Sequence, residues 1–338
     1  MTETSKLVES MQRIFNKRGK LALGKAKTEI RSRFPKDDNV SRALRYFAEV
    51  TLRDVLPVFP ALISISCEAV GGEAERTTSV GGAIILIAGA ADIHDDVIDQ
   101  SLAKGAKPTV FGKFGKEVAI LAGDVLLAVG LAWLQKECEK ISKEQGGKIL
   151  DIMEQAIVDI SRAEAQETRM RAEKDLSAEA YSDALDLKAV VPELNMRIGA
   201  ILGNGSAESI ETLGHFGRIF GIVSTVAEEF MDLLELAELQ NRLRNDNPPL
   251  PLLQALQNPS VKTQILSIKG KSLTNKNLTE IRRLVLGSPE ADKLKGDMSV
   301  LVQAETVKIS SVVSNKKVSR ELKTLITASL ELLQCIGC

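Results

Sequence analysis

Aromatic side chains are scarce, at 4% of 338 residues with one tryptophan and two tyrosines. Alanine, leucine, isoleucine, lysine and glutamate are abundant instead. Strands draw on aromatic and β-branched residues, so this balance works against sheets and favours helices. Net charge is nearly absent as well, −1 from 44 basic and 45 acidic residues. No bulk field therefore points to nucleic acid or to an anionic membrane as partner. Cysteine is limited to Cys67, Cys138, Cys335 and Cys338, whose spacing makes no disulfide framework. The terminal Cys-Ile-Gly-Cys looks like a redox or metal pair, and loosely like a lipidation tail. With no further ligands nearby, Cys335 and Cys338 read as part of a frayed terminus. No signal peptide or spanning segment shows at the N-terminus, which gives a cytoplasmic enzyme without stable membrane insertion as the expectation. Neither a repeat of roughly 20–50 residues nor an alternating strand pattern is evident.

What is present is apolar content of 44% beside 26% charge, the profile of a soluble globular chain with a real core. We expect an all-α, single-domain helical bundle over residues 1–338, with 1–40 a peripheral helical segment. A helical pattern runs from about Leu7 to Arg33 and another from Arg42 to Val55. Pro57 and Pro60 punctuate it, and Ala61 to Val70 resumes, ended by Gly71-Gly72.

The most informative stretch is Ser79 to Asp99, SVGGAIILIAGAADIHDDVID. Thirteen residues without charge, Ser79 to Ala91, end in Asp92, Asp95, Asp96 and Asp99. A run so apolar suits a buried helix, and it is too short and too abruptly charged to span a bilayer. On a helix Asp95 and Asp99 share a face, with Asp96 at its flank. Carboxylates at a helix C-terminus face both the negative end of the dipole and each other, so they call for a cation. Hard oxygen ligands open to water suit Mg²⁺ shared with a phosphate-bearing substrate.

A loop with Lys104, Lys107 and Lys113 follows, suited to a diphosphate or simply solvated. Then comes a strongly apolar helix from Val118 to Lys140, with Asp124 read as buried in its pattern and so in need of a partner. Gly146-Gly147 opens a long helical run to Lys174 that carries Glu164, Gln166 and Glu167. Ser177 to Leu202 is the next helix, with Lys188 midway and Pro192 kinking or interrupting it. Between about Ala207 and Leu239 a second apolar run ends in acids, Glu228, Glu229 and Asp232. Their spacing repeats that of Asp95, Asp96 and Asp99, so two such helices are candidates to face one another across a metal.

HDDVIDQS, KPTVFGKFG and AILAGDVLL together resemble the trans-isoprenyl (polyprenyl) diphosphate synthases, most strongly over Pro57 to Asp124 and more weakly to Leu256. The resemblance implies an isoprenoid synthase-type bundle with a central cavity, and a Mg²⁺-dependent prenyltransferase joining an allylic diphosphate to isopentenyl diphosphate. It implies Asp95, Asp96 and Asp99 as the first metal motif, and Glu228, Glu229 and Asp232 as the second. Lys188 and Gln166 then serve the allylic diphosphate. The isopentenyl diphosphate pocket falls on Thr51 to Pro57, where Arg53 alone keeps a positive charge and Asp54 reverses one. Lys104 and Lys107 are the candidate substitutes for the missing arginines. The small Ala90 and Ala91, with Ile87, leave the floor of the chain-length cavity open and imply a product of twenty carbons or longer. A homodimer, or a heterodimer with another synthase-like subunit, is also implied. Two alternatives stay open: a poorly active or regulatory subunit of a heteromeric synthase, and a class I terpene cyclase-like lyase.

Overall fold

The computed structural model describes residues 3–172, 176–269 and 273–336. Among them, helices account for nearly all regular structure, as the aromatic-poor composition requires. In chain order these are α1 (Glu3–Arg33), α2 (Asn39–Glu49), α3 (Val58–Ala69) and α4 (Thr78–Ile98). After a two-residue hairpin come α5 (Val110–Phe114), α6 (Lys116–Cys138), α7 (Lys143–Met170), α8 (Ala178–Lys188) and α9 (Val190–Leu202). Next are α10 (Ala207–Leu234), α11 (Leu236–Asn245), α12 (Leu250–Ala255) and α13 (Pro259–Lys269). Last come α14 (Asn275–Leu286), α15 (Pro289–Val312) and α16 (Lys316–Gln334). Cys338 and Lys174 lie outside the described residues.

The chain divides into two compact units. One comprises residues 12–153 and 195–211, and is built around α4 and α6. Close approach of these two helices depends on glycine. A methyl group at Gly130 would meet Ile87 Cγ1 at 2.7 Å and the Ala83 carbonyl at 3.2 Å, and one at Gly82 would meet the Trp133 ring at 2.5 Å. α1 supplies Ala22, Ala26 and Ile30 to this core, all buried. The segment expected to be peripheral is thus packed, because its apolar residues recur every three or four positions along one face.

The same unit contains two helical stretches long and apolar enough, by length and composition, to cross a membrane: Ala74–Ile98 and Lys116–Cys138. The sequence reading of the first as too short counted only its uncharged run. In the structure 67% of the first apolar window is buried against protein, and 33% of the second. α6 leaves Ile120 and Leu121 exposed. Asp124 is exposed rather than buried, and its Oδ1 lies 3.4 Å from His94 Nε2 of α4.

The other unit comprises residues 1–11, 154–194 and 212–338. Here α12 packs against α15, α14 and α8, and α15 against α16. The helix expected over Ser177 to Leu202 breaks at Ala189 rather than at Pro192. Pro192 sits in the first turn of α9, where its missing N–H has no intrahelical acceptor to lose.

Candidate active site

In the first unit the acids arrive at the last turn of α4, which ends at Ile98 with Asp99 as C-cap. Asp96 is buried, 4% exposed, while Asp95 is half-buried and Asp99 exposed. The chain then turns back through a short antiparallel hairpin, β1 (Ala103–Lys104) and β2 (Lys107–Pro108), with Ala103 opposite Pro108 and Lys104 opposite Lys107. Thr109 fixes the end of this hairpin. Its hydroxyl donates to the Ser101 carbonyl at 2.7 Å and accepts from the Gly112 N–H at 2.9 Å, capping α5. Tyr46 of α2 donates to the Pro108 carbonyl at 2.7 Å.

The hairpin delivers Lys104 onto α4. Its ammonium donates to Asp92 Oδ1 at 2.6 Å and lies 3.0 Å from Asp96 Oδ1. One ammonium is thus shared between Asp92 and the buried Asp96. Burial pushes the Asp96 carboxyl up to about 6, against the pull of Lys104 and with Asp92 and Asp99 adding repulsion. Burial opposes the charge on Lys104, but Asp92 and Asp96 outweigh it and hold the ammonium protonated.

The donor chemistry of Asp95, Asp96 and Asp99 fits a hard divalent cation, and the crowding of Asp92 and Asp99 around the buried Asp96, with the single Lys104 ammonium between them, is the feature that asks for one. No group of three acidic, histidine or cysteine side chains converges as a ready cage among the described residues. A cation here would therefore complete its shell with water and ligand oxygens, as Mg²⁺ ordinarily does.

Arg53 and Lys107 stand nearby in sequence logic but are already engaged. Arg53 Nε donates to the Glu49 carbonyl at 3.1 Å, and Lys107 is paired with Asp54. Lys27 of α1 escaped the sequence reading. Its affinity for a proton is lowered by burial and by the neighbouring Arg31 and Arg53, so α1 adds positive charge beside Arg53. No motif announces Lys27, because its relation to Arg53 exists only once α1 has packed. Of the chain-length residues, Ala90 and Ile87 are buried and Ala91 is exposed. Ala90 belongs to the core cluster with Phe47 of α2, and Ile87 packs at Gly130.

In the second unit Lys188, the last residue of α8, reaches α7. Its ammonium lies 2.7 Å from Glu167 Oε2 and 2.9 Å from Glu164 Oε1. Burial disfavours its charge, but the two glutamates overcome this and raise its pKa. Burial in turn raises the pKa of Glu167 despite Lys188. Glu167 Oε1 and Gln166 Oε1 are buried without a hydrogen-bond partner.

Glu228, Glu229 and Asp232 lie on α10 as the spacing predicts. Their cation was not foreseen. Arg242 of α11, 8% exposed, donates through Nη2 to both oxygens of Glu229 at 3.0 and 3.1 Å. Its Nη1 donates to Asp232 at 2.5 Å, its Nη2 also reaches the Tyr181 hydroxyl at 2.8 Å, and its Nε the Asn247 carbonyl at 2.7 Å. Burial pushes Asp232 up to about 6 against the pull of Arg242. With a guanidinium already among their oxygens, Glu229 and Asp232 as they stand do not fit a metal ion. An arginine ten residues beyond Asp232, in a polar run, carries no spacing signal that would have revealed this.

An all-helical architecture with an aspartate trio closing a buried apolar helix defines the isoprenoid synthase class. A family model described as Polyprenyl synthetase matches residues 57–285. The geranylgeranyl diphosphate synthase of Sulfolobus acidocaldarius is 28% identical over 235 residues, covering 69% of this chain and 68% of that protein. The geranylfarnesyl diphosphate synthase of Methanosarcina mazei is 26% identical over 202 residues, covering 60% of this chain and 65% of that one. The matched stretch thus spans about two thirds of the length of these relatives. The crystal structure of geranylgeranyl pyrophosphate synthetase from Pyrococcus horikoshii has the same fold, with a TM-score of 0.83 at 22% identity over 96% of this chain and 99% of that one. The chain belongs to the polyprenyl synthetase family, as the motif resemblance implied, and its class is that of a prenyltransferase. Membership implies use of a divalent metal.

Proposed function

We propose that this protein is a Mg²⁺-dependent prenyltransferase that condenses an allylic diphosphate with isopentenyl diphosphate into a polyprenyl diphosphate of twenty carbons or more. The observation that carries the reading is Asp96, a buried carboxylate at the end of an apolar helix that shares one ammonium, Lys104, with Asp92. Asp95, Asp96 and Asp99 would hold the metal, which when bound supplies Lewis-acid neutralisation of a leaving diphosphate. Product length rests on the small, exposed Ala91 and on the geranylgeranyl and geranylfarnesyl names of the two relatives.

The residues of the chain do little proton transfer in this scheme. Lys104, held charged by Asp92 and Asp96, offsets part of their negative charge before substrate arrives and offers its ammonium to an incoming phosphate oxygen. Lys188, held charged by Glu164 and Glu167, has a diphosphate-binding role in its own unit. Arg53 and Lys107, with Lys27 close to Arg53, form the basic set assigned to isopentenyl diphosphate. The apolar inner face of α4, with Ile87 and Ala90, offers no water or nucleophile to a carbocation.

The reading includes a cytoplasmic location and a homodimer, or a heterodimer with a second synthase-like subunit. The exposed Ile120 and Leu121 of α6 support such a partner. To test the function, the full-length chain is given Mg²⁺, an allylic diphosphate and isopentenyl diphosphate, and its products are separated by chain length. Elongation that falls at least a hundredfold in Asp95→Asn and Asp96→Asn supports the proposal; undiminished elongation in both variants refutes it.

A further inference from the structure

The second acidic run matches a metal motif in spacing, yet its inner oxygens are already taken from within the fold. Glu229 is 6% exposed, and its two oxygens share three donor groups, the Arg242 Nη2 lying across both. Oε1 accepts from the Tyr181 hydroxyl at 3.2 Å and from Arg242, and Oε2 accepts from the Leu250 N–H at 2.7 Å and from Arg242. Both carboxylate oxygens of Glu229 are therefore engaged by donors from within the fold. Asp232 is held by the other arm of the same guanidinium. Arg242 is no drifting surface side chain, since its Nε is tied to the Asn247 carbonyl and Asp246 lies 3.4 Å away. Asn247 is itself 1% exposed and donates to the Glu167 carbonyl at 3.0 Å. A divalent ion entering here would displace these donors and sit beside a buried positive charge, which Coulomb repulsion in a low-dielectric interior penalises.

We propose that Arg242 takes the place of a divalent cation at the second acidic cluster, so that Glu229 and Asp232 bind no metal and instead form an internal lock joining α8, α10, α11 and α12. The lock explains why glutamate is acceptable at a position where metal geometry would favour the shorter aspartate. The extra methylene carries the Glu229 carboxylate to the guanidinium, the phenol and the Leu250 amide together. It is carried by this one network and does not depend on the chain's catalytic reading.

The test counts bound Mn²⁺ on the full-length chain by the loss of the free-ion electron paramagnetic resonance signal, with inorganic diphosphate present. Wild type is compared with Glu228→Gln, Asp232→Asn and Arg242→Gln. The number and affinity of bound Mn²⁺ should stay within twofold in Glu228→Gln and Asp232→Asn. Arg242→Gln should melt lower without metal, gain one Mn²⁺ and be partly restored by it. A fivefold loss of Mn²⁺ affinity, or a lost ion, in a folded Glu228→Gln or Asp232→Asn overturns the proposal. So does an Arg242→Gln variant of unchanged melting temperature that takes up no further ion. Should Arg242→Gln fail to fold, Glu228→Gln and Asp232→Asn decide, the first of these taking no part in the Arg242 hydrogen bonds. A wild type that binds no Mn²⁺ at all upholds the lock while counting against the metal role of Asp95, Asp96 and Asp99, so the two readings fail separately.

Discussion

Lys188 Nζ donates to Glu167 Oε2 at 2.7 Å and lies 2.9 Å from Glu164 Oε1, so one ammonium is shared by two carboxylates a turn apart on α7. Removing the ammonium leaves a buried glutamate beside a second one. Lys188→Ala is therefore expected to cost about 1–3 kcal/mol of stability, below the full penalty for breaking a buried pair because Lys188 is partly exposed. Urea denaturation of Lys188→Ala and Lys188→Arg checks this, the arginine recovering most of the loss.

Asp96 gives a pH dependence whose sign can be worked out. Its folded pKa, about 6, stands above the ordinary carboxylate value, chiefly through burial. The native state therefore binds this proton more tightly than the unfolded chain, and its contribution to stability is lost as pH rises through about 6. Asp96→Asn should raise the melting point at pH 7.5, by an equivalent of about 1–3 kcal/mol once the lost Lys104 contact is discounted. That advantage should vanish near pH 4. Thermal scans at both pH values test this, and a variant equally stabilised at both contradicts it.

Lys104 lowers the pKa of Asp96, so its removal should act in the opposite sense to metal capture. In Lys104→Ala the acid limb of kcat/KM should move upward in pH, since Asp96 must be ionised to hold a cation. A profile superimposable on wild type would remove Asp96 from that limb.

Bulk on α4 should separate product control from packing. Ala91 is exposed, so Ala91→Phe is expected to shorten the product with little change in melting temperature. Ala90 sits in the core with Phe47, and Ala90→Phe should cost about 1–3 kcal/mol by overpacking. Product chromatography and melting curves on both variants check the distinction.

Gly130 lies where the backbones of α4 and α6 come close. Gly130→Val should destabilise the chain by about 1–3 kcal/mol or more, because the added atoms meet the Ile87 side chain and the Ala83 carbonyl. Denaturant titration with unchanged slope would confirm a packing effect rather than a changed unfolded state.

Much of this was legible along the chain. The all-helical class followed from composition, and the acidic end of α4 from the abrupt change after Ala91, because helix formation and amphipathic burial are read over neighbouring residues. The break at Ala189 and the exposure of Asp124 beside His94 were not legible. On α6 nearly every residue is apolar, so the pattern contains no polar stripe to say which side meets solvent.

Order and spacing alone determined that carboxylates would gather at the ends of α4 and α10, since a helix maps residues three and four apart onto one surface. Only tertiary structure decided which cation meets them. Lys104 reaches Asp92 and Asp96 through a hairpin, and Arg242 reaches Glu229 and Asp232 from a separate helix. Electrostatic partners are chosen by distance in space and by what else is buried with them, and neither quantity exists until the chain has folded.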